Sequence, residues 1–271
     1  GPDAKKVYWL YTNIQSEDLN IGIKHEVGAF EDIFPTTWLS WNNKIMPQGW
    51  TVMKKSGTDY IFTVYSIGFT NPIYKQYERV VTIPKTSFPK KVISGDFNGD
   101  GLTDILIIDS QSPNGNIVSG RKVYYIDLKR DNTTNFLTLP GQLITSLSGT
   151  AKVEVADFNG DGKSDLFVFD TGYLIIYSLN AENKLIVLYK SPSFDSTFAT
   201  GYPSKTTNFP IYIGDYNGDG KSDFIIPKAY GSSQWYKYTS TGSAMIKEEK
   251  SYLPVFSKND SYNTYNFIPT D

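Results

Sequence analysis

Three nine-residue segments of this chain are near copies of one another: Asp96-Phe-Asn-Gly-Asp-Gly-Leu-Thr-Asp104, Asp157-Phe-Asn-Gly-Asp-Gly-Lys-Ser-Asp165 and Asp215-Tyr-Asn-Gly-Asp-Gly-Lys-Ser-Asp223. Their first residues lie 61 and 58 positions apart, so the motif marks the phase of a long internal repeat. Directly after the segments come Ile105-Leu-Ile-Ile108, Leu166-Phe-Val-Phe169 and Phe224-Ile-Ile226. Short unbroken runs of β-forming apolar residues read as strands buried on both faces. A chain punctuated this way is confined to repeated strand units that cover one another.

Within each segment, oxygen-bearing side chains stand at positions 1, 3, 5 and 9: Asp96, Asn98, Asp100 and Asp104; Asp157, Asn159, Asp161 and Asp165; Asp215, Asn217, Asp219 and Asp223. The carbonyls of Leu102, Lys163 and Lys221 are expected at position 7. Three carboxylates in one tight loop repel each other unless a cation neutralises them. Hard oxygen donors at alternating positions suit Ca²⁺, whereas Mg²⁺ wants stricter octahedral order and fewer protein ligands. Transition metals prefer His or Cys, and the chain has one histidine, His25, and no cysteine. Three Ca²⁺ sites are therefore expected. Ordinary Asn-Gly hairpin turns would not need Asp at positions 1, 5 and 9 three times over. An EF-hand is excluded, because position 12 is Ile107, Val168 and Ile226 instead of a bidentate Glu.

Twenty Tyr, 16 Phe, 22 Gly and 14 Pro describe many short aromatic strands joined by tight turns, an all-β composition. Each period has room for about four strands; the first is expected to include Lys122–Leu128 and Asn135–Leu139. Four-stranded units at fixed period describe the blades of a β-propeller. The D-[FY]-N-G-D-G-x-[ST]-D loops resemble the FG-GAP/VCBS repeats of integrin-α-type propellers, and are similar to the FG-GAP portions of large secreted bacterial proteins, including RHS-repeat and Tc-toxin-B-like chains. The resemblance covers residues 92–271. It implies that each loop joins the first two strands of a blade and that the Asp and Asn positions coordinate Ca²⁺.

On this reading residues 92–152, 153–210 and 211–268 are Ca²⁺-binding blades. Phe267-Ile-Pro-Thr-Asp271 aligns with Ile211-Tyr-Ile-Gly-Asp215, so 269–271 is expected to begin a further repeat. Gly57-Thr-Asp-Tyr-Ile-Phe-Thr-Val64 echoes the segment at Gly162, which makes 36–91 a degenerate blade without a metal loop. Residues 1–35 are a closing strand or another degraded blade. Three full blades do not close a ring, so a partial propeller is expected.

A net charge of −2 gives no electrostatic footprint for nucleic acid, and no run is long and apolar enough for a membrane helix. Zero cysteine leaves the compartment open. Trp38, Trp41, Trp50 and Trp235 are expected in packing, and His25 beside Glu26 lacks a partner for acid–base chemistry. The repeated aspartates are committed to ions, so no enzyme activity is expected. The sequence points to a calcium-stabilised scaffold or protein-interaction segment of a larger secreted or cell-surface bacterial protein, contacting its neighbouring domains and another protein or a glycan. The alternative is a carbohydrate-binding, adhesin or lectin-like propeller.

Overall fold

The computed structural model describes residues 6–7, 10–12, 19–21, 25–26, 30–40, 42–67, 73–83, 90–109, 123–128, 151–170, 173–182, 184–191, 211–228 and 234–250. Every regular element among them is a strand. The expected strand at Asn135–Leu139, the side chain of Trp41 and the in-phase Asp271 lie outside these residues. The chain divides into two units, one of residues 1–86, 101–103 and 127–135, the other of 87–100, 104–126 and 136–271.

In the first unit β1 (Lys6–Val7), β2 (Leu10–Thr12), β3 (Leu19–Ile21) and β4 (His25–Glu26) form two small antiparallel pairs, β1 with β4 and β2 with β3. They are followed by β5 (Asp32–Leu39), β6 (Ile45–Ser56), β7 (Asp59–Ile67) and β8 (Ile73–Thr82), an antiparallel sheet in chain order. Alternation decides which side chains enter its core. Phe34, Thr36 and Trp38 are buried along β5, and Phe62 and Val64 along β7. Trp38 and Trp50 are packing residues, 5% and 1% exposed, and the Trp50 ring stacks on Tyr65 with centroids 5.8 Å apart. Gly49 makes room for the indole: a Cβ there would stand 2.6 Å from Trp38 Cδ1. In this meander the turn that corresponds to the metal loops is Ser40–Lys44, between the first and second strands. Gly57, which the sequence aligns with the loop at Gly162, sits one hairpin later, between β6 and β7. The echo arose because any Gly followed by an apolar strand looks alike at that length.

Among the described residues the second unit shows three sheets. The described strands of the first are β9 (Lys90–Gly95), β10 (Asp104–Asp109) and β11 (Val123–Asp127). The second is β12 (Lys152–Ala156), β13 (Asp165–Asp170), β14 (Tyr173–Leu179) and β15 (Leu185–Lys190). The third is β16 (Tyr212–Gly214), β17 (Asp223–Pro227), β18 (Trp235–Ser240) and β19 (Met245–Lys250). Neighbouring strands are consecutive in sequence, and β9 with β10 and every pair of the second and third sheets run antiparallel. Each nine-residue loop joins the first two strands of its sheet.

The second sheet is buried on both faces, which explains its unbroken apolar runs. Register pairs Leu166 with Tyr177 and Val168 with Ile175 on one face, Phe167 with Ile176 and Phe169 with Leu174 on the other. The first face packs against Leu106, Ile108, Val123 and Tyr125 of the preceding sheet. The second packs against Phe224, Ile226 and Tyr238 of the following one. At that second interface Phe158, Phe167 and Phe224 meet in a mutual aromatic cluster, and Tyr238 stacks on Phe224 at 4.4 Å. Each such ring contributes about 1.5–3 kcal/mol through burial. The outer strands are wetter: Ile186 and Val187 of β15 are 41% and 44% exposed, and Lys247–Glu249 of β19 face solvent.

Candidate metal centre

Two glycines shape each loop. Gly99 and Gly101, Gly160 and Gly162, and Gly218 and Gly220 all have φ between 75° and 82°. This left-handed region is open to glycine at little cost, and two such residues one apart curl the chain around its own first aspartate. The Asp157 carboxylate accepts hydrogen bonds from the N–H of Gly160 at 2.7 Å and of Gly162 at 2.8 Å. Asp215 does the same with Gly218 and Gly220, both at 2.8 Å, and Asp96 with Gly99 at 2.8 Å and Asp100 at 3.1 Å. The amide of Gly220 foremost holds the Asp215 carboxyl below its ordinary value. Each Asn at position 3 accepts from the position-5 N–H and donates its amide to the position-5 carboxylate.

Position 9 is different. Asp104, Asp165 and Asp223 open the second strand of each sheet and are fully buried. One oxygen of each accepts the backbone N–H of position 2, from Phe97 at 3.1 Å, Phe158 at 2.8 Å and Tyr216 at 3.3 Å. In the first two loops the same residue, Phe97 or Phe158, also plugs the core, so backbone and side chain together draw this carboxylate inward; Tyr216 in the third is half-buried. Asp223 gives its other oxygen to the Ser240 N–H at 2.8 Å. Asp165 Oδ1 is buried with no hydrogen-bond partner. Burial pushes the Asp165 carboxyl up to about 6, with the Asp161 and Asp157 charges adding to the rise.

At position 7 Leu102 is buried, whereas Lys163 and Lys221 turn their ammonium groups back to position 5 of their own loops, 3.5 Å from Asp161 and 3.2 Å from Asp219. The amide of Lys221 foremost, then its ammonium among smaller contributions, keeps the Asp219 carboxyl low.

The fifteen candidate ligands are thus gathered five to a turn. Their donor set is oxygen only, and a buried carboxylate oxygen without a donor is the environment in which a hard cation is favourable. On both counts the residues fit such an ion. Their carboxylates nonetheless point at the loop's own amides, and among the described residues no three acidic or histidine side chains converge on one point.

Sequence reasoning passed over position 8, which is Thr103, Ser164 and Ser222. Ser164 N–H donates to the backbone carbonyl of Asp96 at 2.6 Å, and Asp96 N–H donates to Ser164 Oγ at 3.0 Å. Ser222 N–H donates to the Asp157 carbonyl at 2.7 Å. In the first unit Thr103 and Thr37 make the matching pair of bonds, both 2.9 Å. The signal was present in the sequence as a hydroxyl residue recurring before the last Asp.

Residues 96–168 match the FG-GAP-like repeat family. The chain is 30% identical over 145 residues to a T-cell immunomodulatory protein homolog of Plasmodium falciparum (51% of this chain, 19% of that protein). It is 28% identical over 151 residues to integrin alpha-PS2 of Drosophila melanogaster (51% of this chain, 10% of that protein). It therefore spans under a fifth of the length of these relatives. Among solved structures it is similar to an Agrocybe aegerita lectin described for recognition of non-reducing terminal N-acetylglucosamine (12% identity, 91% of this chain and 66% of that one, TM-score 0.47) and to a Lactobacillus plantarum protein (12% identity, 91% and 63%, TM-score 0.42). Between Asp96 and Val168 the chain matches an FG-GAP-like repeat, and its described strands make an all-β fold whose four-stranded antiparallel sheets have the strand count of a β-propeller blade.

Proposed function

We propose that this chain is a calcium-stabilised β-propeller segment of a larger secreted or cell-surface protein, acting as a non-enzymatic scaffold or protein-interaction module. The observation that carries the reading is the threefold loop, an all-oxygen donor set closed at one end by a buried aspartate. Bound Ca²⁺ would neutralise carboxylates that otherwise repel across a few ångströms. The chain's own residues do the rest: paired glycines curl the loop, Phe97 and Phe158 anchor it in the core, and position 9 ties it to the second strand. Location follows from affinity. Extracellular modules bind with Kd of roughly 10⁻⁴–10⁻³ M, so millimolar Ca²⁺ adds about 0.4–1.4 kcal/mol per site. Cytosolic calcium is too dilute to do so. The two sequence relatives named above, from Plasmodium falciparum and Drosophila melanogaster, are eukaryotic, so the reading is not tied to a bacterial source.

The test is thermal. Chelation with verified metal removal is expected to lower Tm, and Asp157→Ala with Asp161→Ala to remove one loop's share of the calcium-dependent increment. A melt indifferent to chelation overturns the reading.

A further inference from the structure

One peptide unit at each junction reaches from a loop to the backbone of the loop before it. Residues 163 and 164 share one planar peptide group, as do 221 and 222. In a trans peptide the C=O and N–H point in opposite directions, so aiming one aims the other. The N–H ends are seen: Ser164 holds the Asp96 carbonyl and Ser222 the Asp157 carbonyl. The C=O ends belong to Lys163 and Lys221, the position-7 candidates in their own loops.

Two further contacts run the same way. The Lys163 stem lies on Gly99 of the preceding loop, where a Cβ would meet Cγ at 3.0 Å, and the Lys221 stem lies on Gly160 at the same distance. Gly95, beside Asp96, leaves room for the clasp, since a Cβ there would stand 2.9 Å from Ser164 Cβ and Oγ. Coverage follows the series. Asp96, Asn98 and Asp100 are all half-buried; in the second loop Asp161 is exposed; in the third Asp215, Asn217 and Asp219 are all exposed. A Cβ on Gly218 would meet nothing within 4 Å.

We propose that the three loops take up divalent cations as a coupled series, in which the peptide units 163–164 and 221–222 pass the occupancy of each loop to the loop before it. This rests on the calcium reading above and adds an order to it. A cation drawn to the position-7 carbonyl of one loop locks the peptide whose N–H fixes the first aspartate of its predecessor. Coupling is reciprocal between neighbours, and between the outer loops it passes only through the middle one.

The experiment is a Ca²⁺ titration of the full chain labelled with ¹⁵N-glycine, following the amides of Gly99, Gly160 and Gly218 as reporters of their loops. Asp215→Asn with Asp219→Asn disables the third loop at exposed positions. The second loop's midpoint is then expected to move to higher calcium by about fivefold or more, the low end of allosteric coupling, and the first loop's by less. Disabling the first loop through Asp96→Asn with Asp100→Asn is expected to move the second loop more than the third. Unmoved midpoints, or equal shifts at both remaining loops, overturn the coupling while leaving calcium binding intact. Glycine amides that ignore calcium in the unmodified chain overturn the calcium reading itself.

Discussion

Gly95 and Gly218 are both glycines beside or within a repeated loop, yet they resist a methyl group for different reasons. At Gly95 the obstacle is a neighbour: the new Cβ would collide with Ser164, and Gly95→Ala is expected to cost about 1–3 kcal/mol as overpacking. Chemical denaturation measures it, and Ser164→Gly in the same chain should recover part of the loss, because the two sites share one contact. At Gly218 nothing is near, but φ of 76° leaves only the backbone cost, about 1–2 kcal/mol, which no second substitution relieves. Asp165 adds a pH signature. Its carboxyl, near 6 in the folded chain against an ordinary 3.8, keeps a proton between about pH 4 and 6 that the unfolded chain has released. Its contribution to stability therefore falls as pH rises through that window. In chelator, the Tm of the unmodified chain should fall relative to that of Asp165→Asn from pH 4 to 6.5; a constant offset contradicts the burial argument.

Strands next to the loops were legible because their sequences obey two constraints at once. Leu166–Phe169 and Phe224–Ile226 are apolar without a break, and the sheets that bury them from both sides explain why. The outer strand Leu185–Lys190 carries an equally unbroken run, Leu185-Ile-Val-Leu188, yet exposes Ile186 and Val187, so its inward face was unreadable until the register of β14 and β15 was known. The contrast is measurable. Phe167→Ala opens the aromatic cluster between the second and third sheets and is expected to cost about 3–5 kcal/mol. Val187→Thr, on an exposed edge, should stay within about 0.5 kcal/mol. Similar losses from both substitutions in urea titrations would mean the second sheet is not the buried one.

For the molecule as a whole, the motif was a dependable ruler wherever it was present and a poor one where it was absent. Residues 32–82 form a four-stranded sheet, and its hydroxyl clasp between Thr37 and Thr103 imitates that of Asp96 and Ser164. No carboxylate stands at Thr37 to announce it, so backbone pairing reveals the likeness and composition does not. The candidate ligands rest on a chemical reason, since their spacing encodes donor type, and the structure adds where each side chain hydrogen-bonds. Position 8 was missed because half of its contribution is a backbone N–H, which every residue but proline carries, and its hydroxyl acts on the preceding loop instead of its own.

The two-sided burial of the second sheet also sets where this chain can be divided. A fragment stopped at Asn208 would lose Phe224 and Tyr238, leaving Phe158, Phe167 and Ile176 facing water. One started at Asp157 would strip Leu106 and Tyr125 from Leu166 and Val168. Neither the middle repeat nor either pair of repeats is therefore a finished object for expression; the smallest piece with a dry middle holds all three.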